Sequence, residues 1–238
     1  KTAEELGAQA AHTIAEKLCE AIAESGEARL VLSTGGSQFE TLKALLQEDV
    51  PWEKVTAFHL DEYIDLPITH AASFRKYLKE RFIDHVHLKE FVFVETEGDV
   101  DDNIRMLTRR LREKTIDVGV IGIGENAHIA FNDPDVAYFN DPKLVKVVEL
   151  DPICRQQQVN EKCFMTLDLV PKEALTLTIP ALLKAEWMFC IVPFKNKAQA
   201  VYQTVYGEVS EKCPASILRR KENSSLYLDP ESAERINL

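Results

Sequence analysis

The sequence predicts an α/β fold, a parallel sheet covered by helices on both faces. Three observations carry this. Runs of strand length such as Val118-Gly119-Val120-Ile121 are apolar throughout rather than alternating, which marks strands buried on both sides. Stretches with helical spacing lie between them, so strand and helix alternate along the chain. The 238 residues hold no linker, repeat or low-complexity tract, so one domain over 1–238 is expected.

Taken in order, residues 2–24 place Leu6, Ala10, Ile14, Leu18 and Ile22 on one helical face, and Gly26 ends that helix. Residues 29–33 read as a strand, followed by a Gly-Gly turn and a helix over 39–47. Residues 54–60 read as the second strand, followed by a loop and a helix over 73–82. A short strand is expected at 91–94. The helix at 99–114 opens on aspartates and closes on arginine and lysine, which suits its macrodipole. Residues 116–121 form the next strand. Further strands are expected at 144–150, 174–179 and 187–192, with helices at 181–184 and 197–206. The last stretch, 215–228, reads as a short strand pair around a polar turn.

Charge and cysteine content narrow the function. Lysine and arginine number 28 against 39 acids, a net charge of −11. This argues against nonspecific nucleic-acid binding and against an anionic membrane surface. An anionic small substrate stays open, because a few local cations and a helix N-terminus suffice for one phosphate. Cys19, Cys154, Cys163, Cys190 and Cys213 are odd in number and lack CxxC spacing. Reduced thiols in a cytoplasmic protein are the expectation. No apolar run reaches transmembrane length, and no signal-peptide pattern opens the chain, which begins at Lys1.

Ligands of open α/β sheets bind beyond the carboxyl ends of the strands, so the loops there are the place to look. Ser33-Thr34-Gly35-Gly36-Ser37 follows the first strand. Gly35 and Gly36 let backbone approach an anion, Ser37 donates, and a helix N-terminus follows. The same residues read equally as a plain turn. Asp61-Glu62-Tyr63 follows the second strand. One acid of this pair facing a pocket can serve as a proton-transfer base, since neighbours on extended backbone point opposite ways. The alternative is that the acids cap a helix or pair with lysine or arginine. Gly122-Ile123-Gly124-Glu125-Asn126-Ala127-His128 delivers a histidine to the sheet rim, with Asp133 five residues later. Lys195 and Lys197 stand near a helix start, where a cation is locally unfavourable without an anionic partner. Either could be the reaching residue, or both could be surface lysines. His59 reads as a satisfied core or rim histidine, and His12, His70, His85 and His87 as solvated. Together the loops describe a phosphosugar site with acid and base groups.

The chain resembles the glucosamine-6-phosphate deaminase (isomerase) family, related to the 6-phosphogluconolactonases. The matching pieces are Ser-Thr-Gly-Gly-Ser at 33–37, Leu-Asp-Glu-Tyr at 60–63, Gly-Glu-Asn-Ala-His-Ile-Ala-Phe-Asn-Asp-Pro at 124–134 and Asn-Lys-Ala at 196–198. The resemblance implies a Rossmann-like three-layer α/β/α sandwich with a mostly parallel central sheet. It also implies conversion of an amino-sugar phosphate to a ketose phosphate and ammonia, with no metal and no nucleotide cofactor. Gly35, Gly36, Ser37 and Lys197 would hold the phosphate. His128 would assist ring opening, and Asp61 would move a proton from carbon 2 to carbon 1. The family places an aspartate two residues before the histidine and a glutamate five after it, where this chain has Asn126 and Asp133. Asn126 can orient the ring but carries no charge, so His128 is expected to titrate lower than in typical members, with an altered pH optimum or substrate. Arg155 is the nearest candidate for the family's phosphate-binding arginine, with Gln158 as the alternative occupant of that place. Asp135-Val136-Ala137 replaces the allosteric segment of hexameric members, which implies a monomer or small homo-oligomer without regulation by an acetylated sugar phosphate. A lactonase of the 6-phosphogluconolactonase type and a noncatalytic sugar-phosphate sensor are the alternatives.

Overall fold

Thr2 and Glu5 close a capping box at the start of the first helix, and Gly26 ends it at φ 83°. In the computed structural model, which describes residues 2–160 and 162–237, the chain then alternates much as its periodicity predicts. Lys1, Glu161 and Leu238, which the expected 1–238 domain includes, lie outside the described residues. The order is α1 (Ala3–Ser25), β1 (Ala28–Leu32), α2 (Phe39–Leu45), β2 (Val55–His59), β3 (Asp61–Tyr63), α3 (Phe74–Arg81), β4 (Glu90–Val92), α4 (Val100–Glu113), β5 (Val118–Ile121), β6 (Val145–Glu149), α5 (Pro152–Asn160), β7 (Glu173–Leu177), α6 (Ile179–Leu183), β8 (Trp187–Val192), α7 (Ala198–Tyr206) and β9 (Ser224–Leu228).

Six strands form one sheet in the order β4-β2-β1-β5-β8-β9, with every neighbouring pair parallel. Successive residues of each strand point to opposite faces and so feed two separate cores. Leu30, Leu32, Ala57, Val118, Val120, Phe189 and Ile191 share a core with α1, α2 and α3. Val31, Phe58, Ile121, Met188, Cys190 and Val192 share the other with α4, α6 and α7. This is the three-layer arrangement that the wholly apolar strands predict.

Three expectations need correction. Strands β6 and β7 do not join the parallel sheet. They pair antiparallel with each other, and β7 pairs antiparallel with β3, in a separate sheet of order β3-β7-β6. The reason lies in β6, where Val147 and Glu149 are exposed between buried neighbours, as in a strand with one solvated face. The second correction is β3 itself, since the sequence there reads as a loop. The third is the stretch 215–228. It is a 3-10 turn over Pro214–Arg220 followed by one strand, β9, parallel to β8. A further helix, α5, forms where the sequence marks none. Among the described residues no helix is long and apolar enough to cross a membrane.

The order of the parallel sheet positions the site. From β1 the chain moves toward β2 and β4, whereas from β5 it moves toward β8 and β9. The loops after β1 and β5 therefore diverge from adjacent strands, which is the switch point where a crevice opens.

Candidate active site

A cleft of about 540 Å³ lies at this switch point. The loops after β1, β2, β5 and β8 all contribute to its wall, with Gly35, Gly36, Ser37, Asp61, His128 and Lys197 among the lining residues. Six of the nine predicted site residues thus line one cavity, and Asn126 and Asp133 stand behind the imidazole of His128.

The loop after β1 is shaped by Gly35, whose φ of 97° and ψ of 172° suit glycine. The amide of Gln38 donates back to the Gly35 carbonyl at 3.1 Å, and a 3-10 turn over Gly36–Gln38 leads into α2. The hydroxyl of Tyr77 on α3 also donates to the Gly35 carbonyl, at 2.8 Å. With this carbonyl occupied twice, the loop is held from two sides.

Strand β3 separates the two acids as extended backbone requires. Asp61 lines the cleft. Glu62 is wholly buried on the other side, where it accepts from Ser73 Oγ at 2.8 Å, from the amides of Phe74 and Arg75 at 3.2 and 2.9 Å, and from Arg75 Nε at 3.3 Å. Glu62 therefore does what the alternative reading assigns to the pair, bonding a helix N-terminus and an arginine, and Asp61 is left for the cleft. Burial, and secondarily the nearby Glu62 carboxylate, push the Asp61 carboxyl well above the ordinary carboxylate range.

His128 sits in a turn stapled to the small sheet. Phe131 N donates to Thr176 Oγ1 at 3.2 Å, and the buried Asn132 amide donates to the carbonyls of Ile129 and Leu177 at 2.9 and 2.8 Å. Ala127 and Ala130 flank the histidine at φ 64° and 52°, left-handed conformations that this network holds. The ring Nδ1 lies 2.7 Å from Asn126 Oδ1 and 3.1 Å from Asp133 Oδ1. Asn126 Nδ2 donates to Asp133 Oδ1 at 2.8 Å, which fixes its own Oδ1 toward the ring. Both neighbours of Nδ1 are acceptors, so the network assigns the proton to Nδ1 and leaves Nε2 as the basic nitrogen. Burial works to raise Asp133. The hydrogen bond and charge of His128 and the Asn126 amide outweigh it and hold this carboxyl below its usual range.

The imidazole lies against the backbone of Gly124, where a Cβ would come within 2.1 Å of His128 Cε1. Gly124→Ala is therefore expected to displace the ring and lower turnover roughly 100-fold, the scale of an ångström-sized misplacement. Steady-state kinetics alongside a thermal melt check this, with kcat falling and the melting transition kept.

Of the two lysines, Lys197 is buried and lines the cleft, while Lys195 is exposed and pairs with Glu234 at 3.4 Å. Asn196 between them donates to Glu125 Oε1 at 2.8 Å, tying the lysine turn to the histidine turn. Phe194 begins the lysine turn at φ 82° and ψ 144°, and its amide donates to Asp229 Oδ2 at 3.0 Å. A bulky residue there stores backbone strain at the cleft wall.

Arg155 is placed differently. Among the described residues the cleft wall includes Gln158 but not Arg155, whose Nη2 donates to the carbonyls of Leu167 and Val170 at 2.7 and 2.9 Å. A different cation lines the cleft. It is Arg81, whose guanidinium stacks 4.6 Å from the ring centre of Phe39 and 5.1 Å from that of Tyr77. Nothing in the local sequence singles it out. Cys154 and Cys163 also line the cleft, which their spacing gave no reason to expect.

Of the remaining histidines, His12, His85 and His87 are exposed, whereas His70 is half-buried and stacks on Phe164. His59 is fully buried, and its Nε2 accepts from the Val94 amide at 2.8 Å. Burial, and then the Arg75 charge, push its pKa from 6.5 down to about 3. Imidazole nitrogen NMR is expected to show a neutral ring protonated at Nδ1 from neutral pH to well below 6.5. A ring that becomes charged near pH 6.5 would contradict that burial.

Comparison with known proteins agrees with this architecture. The family described as glucosamine-6-phosphate isomerases/6-phosphogluconolactonase matches residues 1–227. The glucosamine-6-phosphate deaminase of Bacillus cereus (strain B4264) is 31% identical over 233 residues, covering 98% of this chain and 86% of the relative. That of Clostridium botulinum (strain Eklund 17B / Type B) is 32% identical over 216 residues, covering 87% and 85%. The solved structure of a monomeric glucosamine-6-phosphate deaminase superposes with a TM-score of 0.89 at 29% identity, covering 99% of this chain and 97% of that one. The 6-phosphogluconolactonase of Trypanosoma brucei, at 18% identity and a TM-score of 0.80 over 100% and 97% of the chains, shares the fold. On the match over residues 1–227 and the 31% identity that spans nearly the whole chain, this protein belongs to the glucosamine-6-phosphate isomerase/6-phosphogluconolactonase family.

Proposed function

We infer that residues 1–238 form one catalytic unit, an amino-sugar-phosphate deaminase/isomerase acting on glucosamine-6-phosphate or an epimer. The observation that carries this reading is the meeting of Asp61 and His128 in one cleft with the glycine loop and Lys197. The 31% identity to curated deaminases over nearly the whole chain supports it.

In this reading Gly35, Gly36, Ser37 and Lys197 hold the phosphate, with the amides of the loop and the buried ammonium facing the anion. The Nε2 of His128 takes the proton of the anomeric hydroxyl and returns it to the ring oxygen, which opens the ring. Asn126 and Asp133 keep Nδ1 protonated and the ring oriented throughout. Asp61 then takes the proton from carbon 2 and delivers it to carbon 1 through an enolamine. The resulting carbon-2 imine adds water and loses ammonia, leaving the ketose phosphate. A carboxyl with a raised pKa is a stronger base once ionised. A 2-ammonium group on the substrate favours that ionisation, because an adjacent cation lowers a carboxyl pKa. A sugar lactone brings no such cation, and this favours the amino sugar over the lactonase alternative.

Ammonia release from a panel of hexosamine 6-phosphates tests the reading. Turnover of at least one amino-sugar phosphate is expected, from a monomer or small homo-oligomer. Acid release from a phosphogluconolactone without ammonia release overturns it in favour of a lactonase. Tight binding of an amino-sugar phosphate with no turnover overturns it in favour of a sensor.

A further inference from the structure

One wall of the cleft brings three different metal-binding atom types together. His128, Asp133 and Cys154 each offer one ligand atom, and these atoms lie within 4.8 Å of one another. Asp133 and Cys154 are buried, and the His128 side chain is 19% exposed toward the cleft. Cys154 comes from α5 and the other two from the turn after β5, so the fold and not local spacing makes the cluster. The Asn126 carbonyl oxygen, 2.7 Å from His128 Nδ1, stands beside the same set.

We propose that His128, Asp133 and Cys154 form an inhibitory site for a thiophilic divalent cation of the zinc type. One imidazole nitrogen, one carboxylate oxygen and one thiolate match the borderline softness of such an ion, and exclude magnesium or calcium as preferred occupants. Bond lengths of about 2.0–2.3 Å put tetrahedral ligands roughly 3.3–3.8 Å apart, so the Nδ1–Asp133 pair at 3.1 Å is already close to that spacing and the widest pair closes by up to about an ångström. Three protein ligands leave the fourth position to water or to a substrate oxygen in the cleft. On binding, the thiol of Cys154 loses its proton to solvent, and the neutral ring of His128 shifts its proton from Nδ1 to Nε2, so that the Nδ1 lone pair beside Asp133 goes to the ion. Affinity therefore falls as pH falls. The inhibitory consequence rests on the proposed role of His128, since a coordinated imidazole cannot shuttle a proton. The binding itself does not rest on that role.

The test uses Co²⁺ as a spectroscopic stand-in and Zn²⁺ as competitor, on the whole chain and without substrate. A thiolate-to-cobalt charge-transfer band is expected in the wild type, displaced by Zn²⁺. Cys154→Ala removes the band and weakens Zn²⁺ binding at least tenfold, whereas Cys163→Ala retains both. In the wild type Zn²⁺ also protects Cys154 from alkylation, read by mass spectrometry, so the test does not depend on any variant folding. In the ammonia assay Zn²⁺ inhibits the wild type, and Cys154→Ala raises the inhibitory concentration at least tenfold. Absence of the band and of protection in the wild type, or persistence of the band in Cys154→Ala, overturns the proposal. A band and protection in a protein that releases no ammonia uphold the site and refute only the deaminase reading.

Discussion

Asp61→Asn is expected to lower turnover at least about 100-fold and to make the protein more stable at neutral pH. The kinetic part follows from the role inferred for the carboxylate. Asparagine fills the same volume but cannot take a proton from carbon 2, and loss of a positioned general base costs about 10²- to 10⁴-fold in rate. Substrate binding is kept, because the phosphate is held elsewhere in the cleft. The stability part follows from burial. The folded-state pKa of Asp61 is raised well above 3.8. Above pH 3.8 the native state therefore holds this proton more tightly than the unfolded chain does. Stability contributed by the neutral carboxyl is full below that value and is lost as pH rises through the folded pKa. Asparagine has no proton to lose. The melting temperature of Asp61→Asn should exceed that of the wild type at neutral pH, and the gap should close as pH falls toward 4. Calorimetric melts across pH, with ammonia-release kinetics on the same samples, check both parts. Unchanged turnover would remove Asp61 from the reaction. A pH-independent gap would mean that the carboxyl is not held neutral by its surroundings.

The two halves of that expectation differ in how far they could be read from sequence. Strands β5 and β8 are legible as unbroken apolar runs ending at Gly122 and Pro193, and β1 and β2 as mostly apolar runs that lead into Ser33-Thr34-Gly35 and Asp61, so the site loops follow from their ends. His128 is legible for the same reason, since glycines, histidine and the end of β5 are contiguous. The small sheet is not legible, because Asp61, Val145 and Glu173 begin strands far apart in the chain and β3 is three residues long. Residue type in β6 does not reveal its wet face, because Val147 is exposed there while Lys146 is buried. The contribution of α5 is lost with it, which is why Cys154 reads as an inert thiol and Arg155 as a phosphate ligand. Arg81 is hidden for another reason. It ends a helix whose pattern places Leu78 and Phe82 in the core, and its guanidinium lies against Phe39 of α2 as well as Tyr77 of its own helix, a placement that the tertiary structure makes.

The largest effect on stability is expected from Glu62→Ala, a substitution that touches no group inferred to react. Arg75 is 2% exposed and faces three carboxylates, Glu62 at 3.3 Å, Glu95 at 2.5 Å and Glu97 at 3.0 Å. Glu95 and Glu97 are substantially exposed, so water screens them. Glu62 is the only one of the three that is fully buried, and it also receives the first amides of α3. Removing it leaves the buried guanidinium with two exposed carboxylates and the Leu66 carbonyl, and leaves the amides of Phe74 and Arg75 without their carboxylate acceptor. Breaking one side of a buried pair costs about 3–5 kcal/mol. In a chain of this size each kcal/mol is worth about 2–4 °C in melting temperature, so a drop of roughly 6–20 °C is expected. Urea titration measures it directly, and a Glu62→Leu/Arg75→Met pair, which removes both charges, should lose less than Glu62→Ala alone. The consequence reaches the cleft through β3. Asp61 and Glu62 are adjacent on extended backbone, so the bonds that pin Glu62 inward also set which way Asp61 points. Under conditions where Glu62→Ala is still folded, its kcat should fall with little change in KM, because Asp61 loses its fixed direction while the phosphate loop is untouched. A full kcat in that folded variant would show that the antiparallel pairing of β3 with β7 is enough to aim Asp61 by itself.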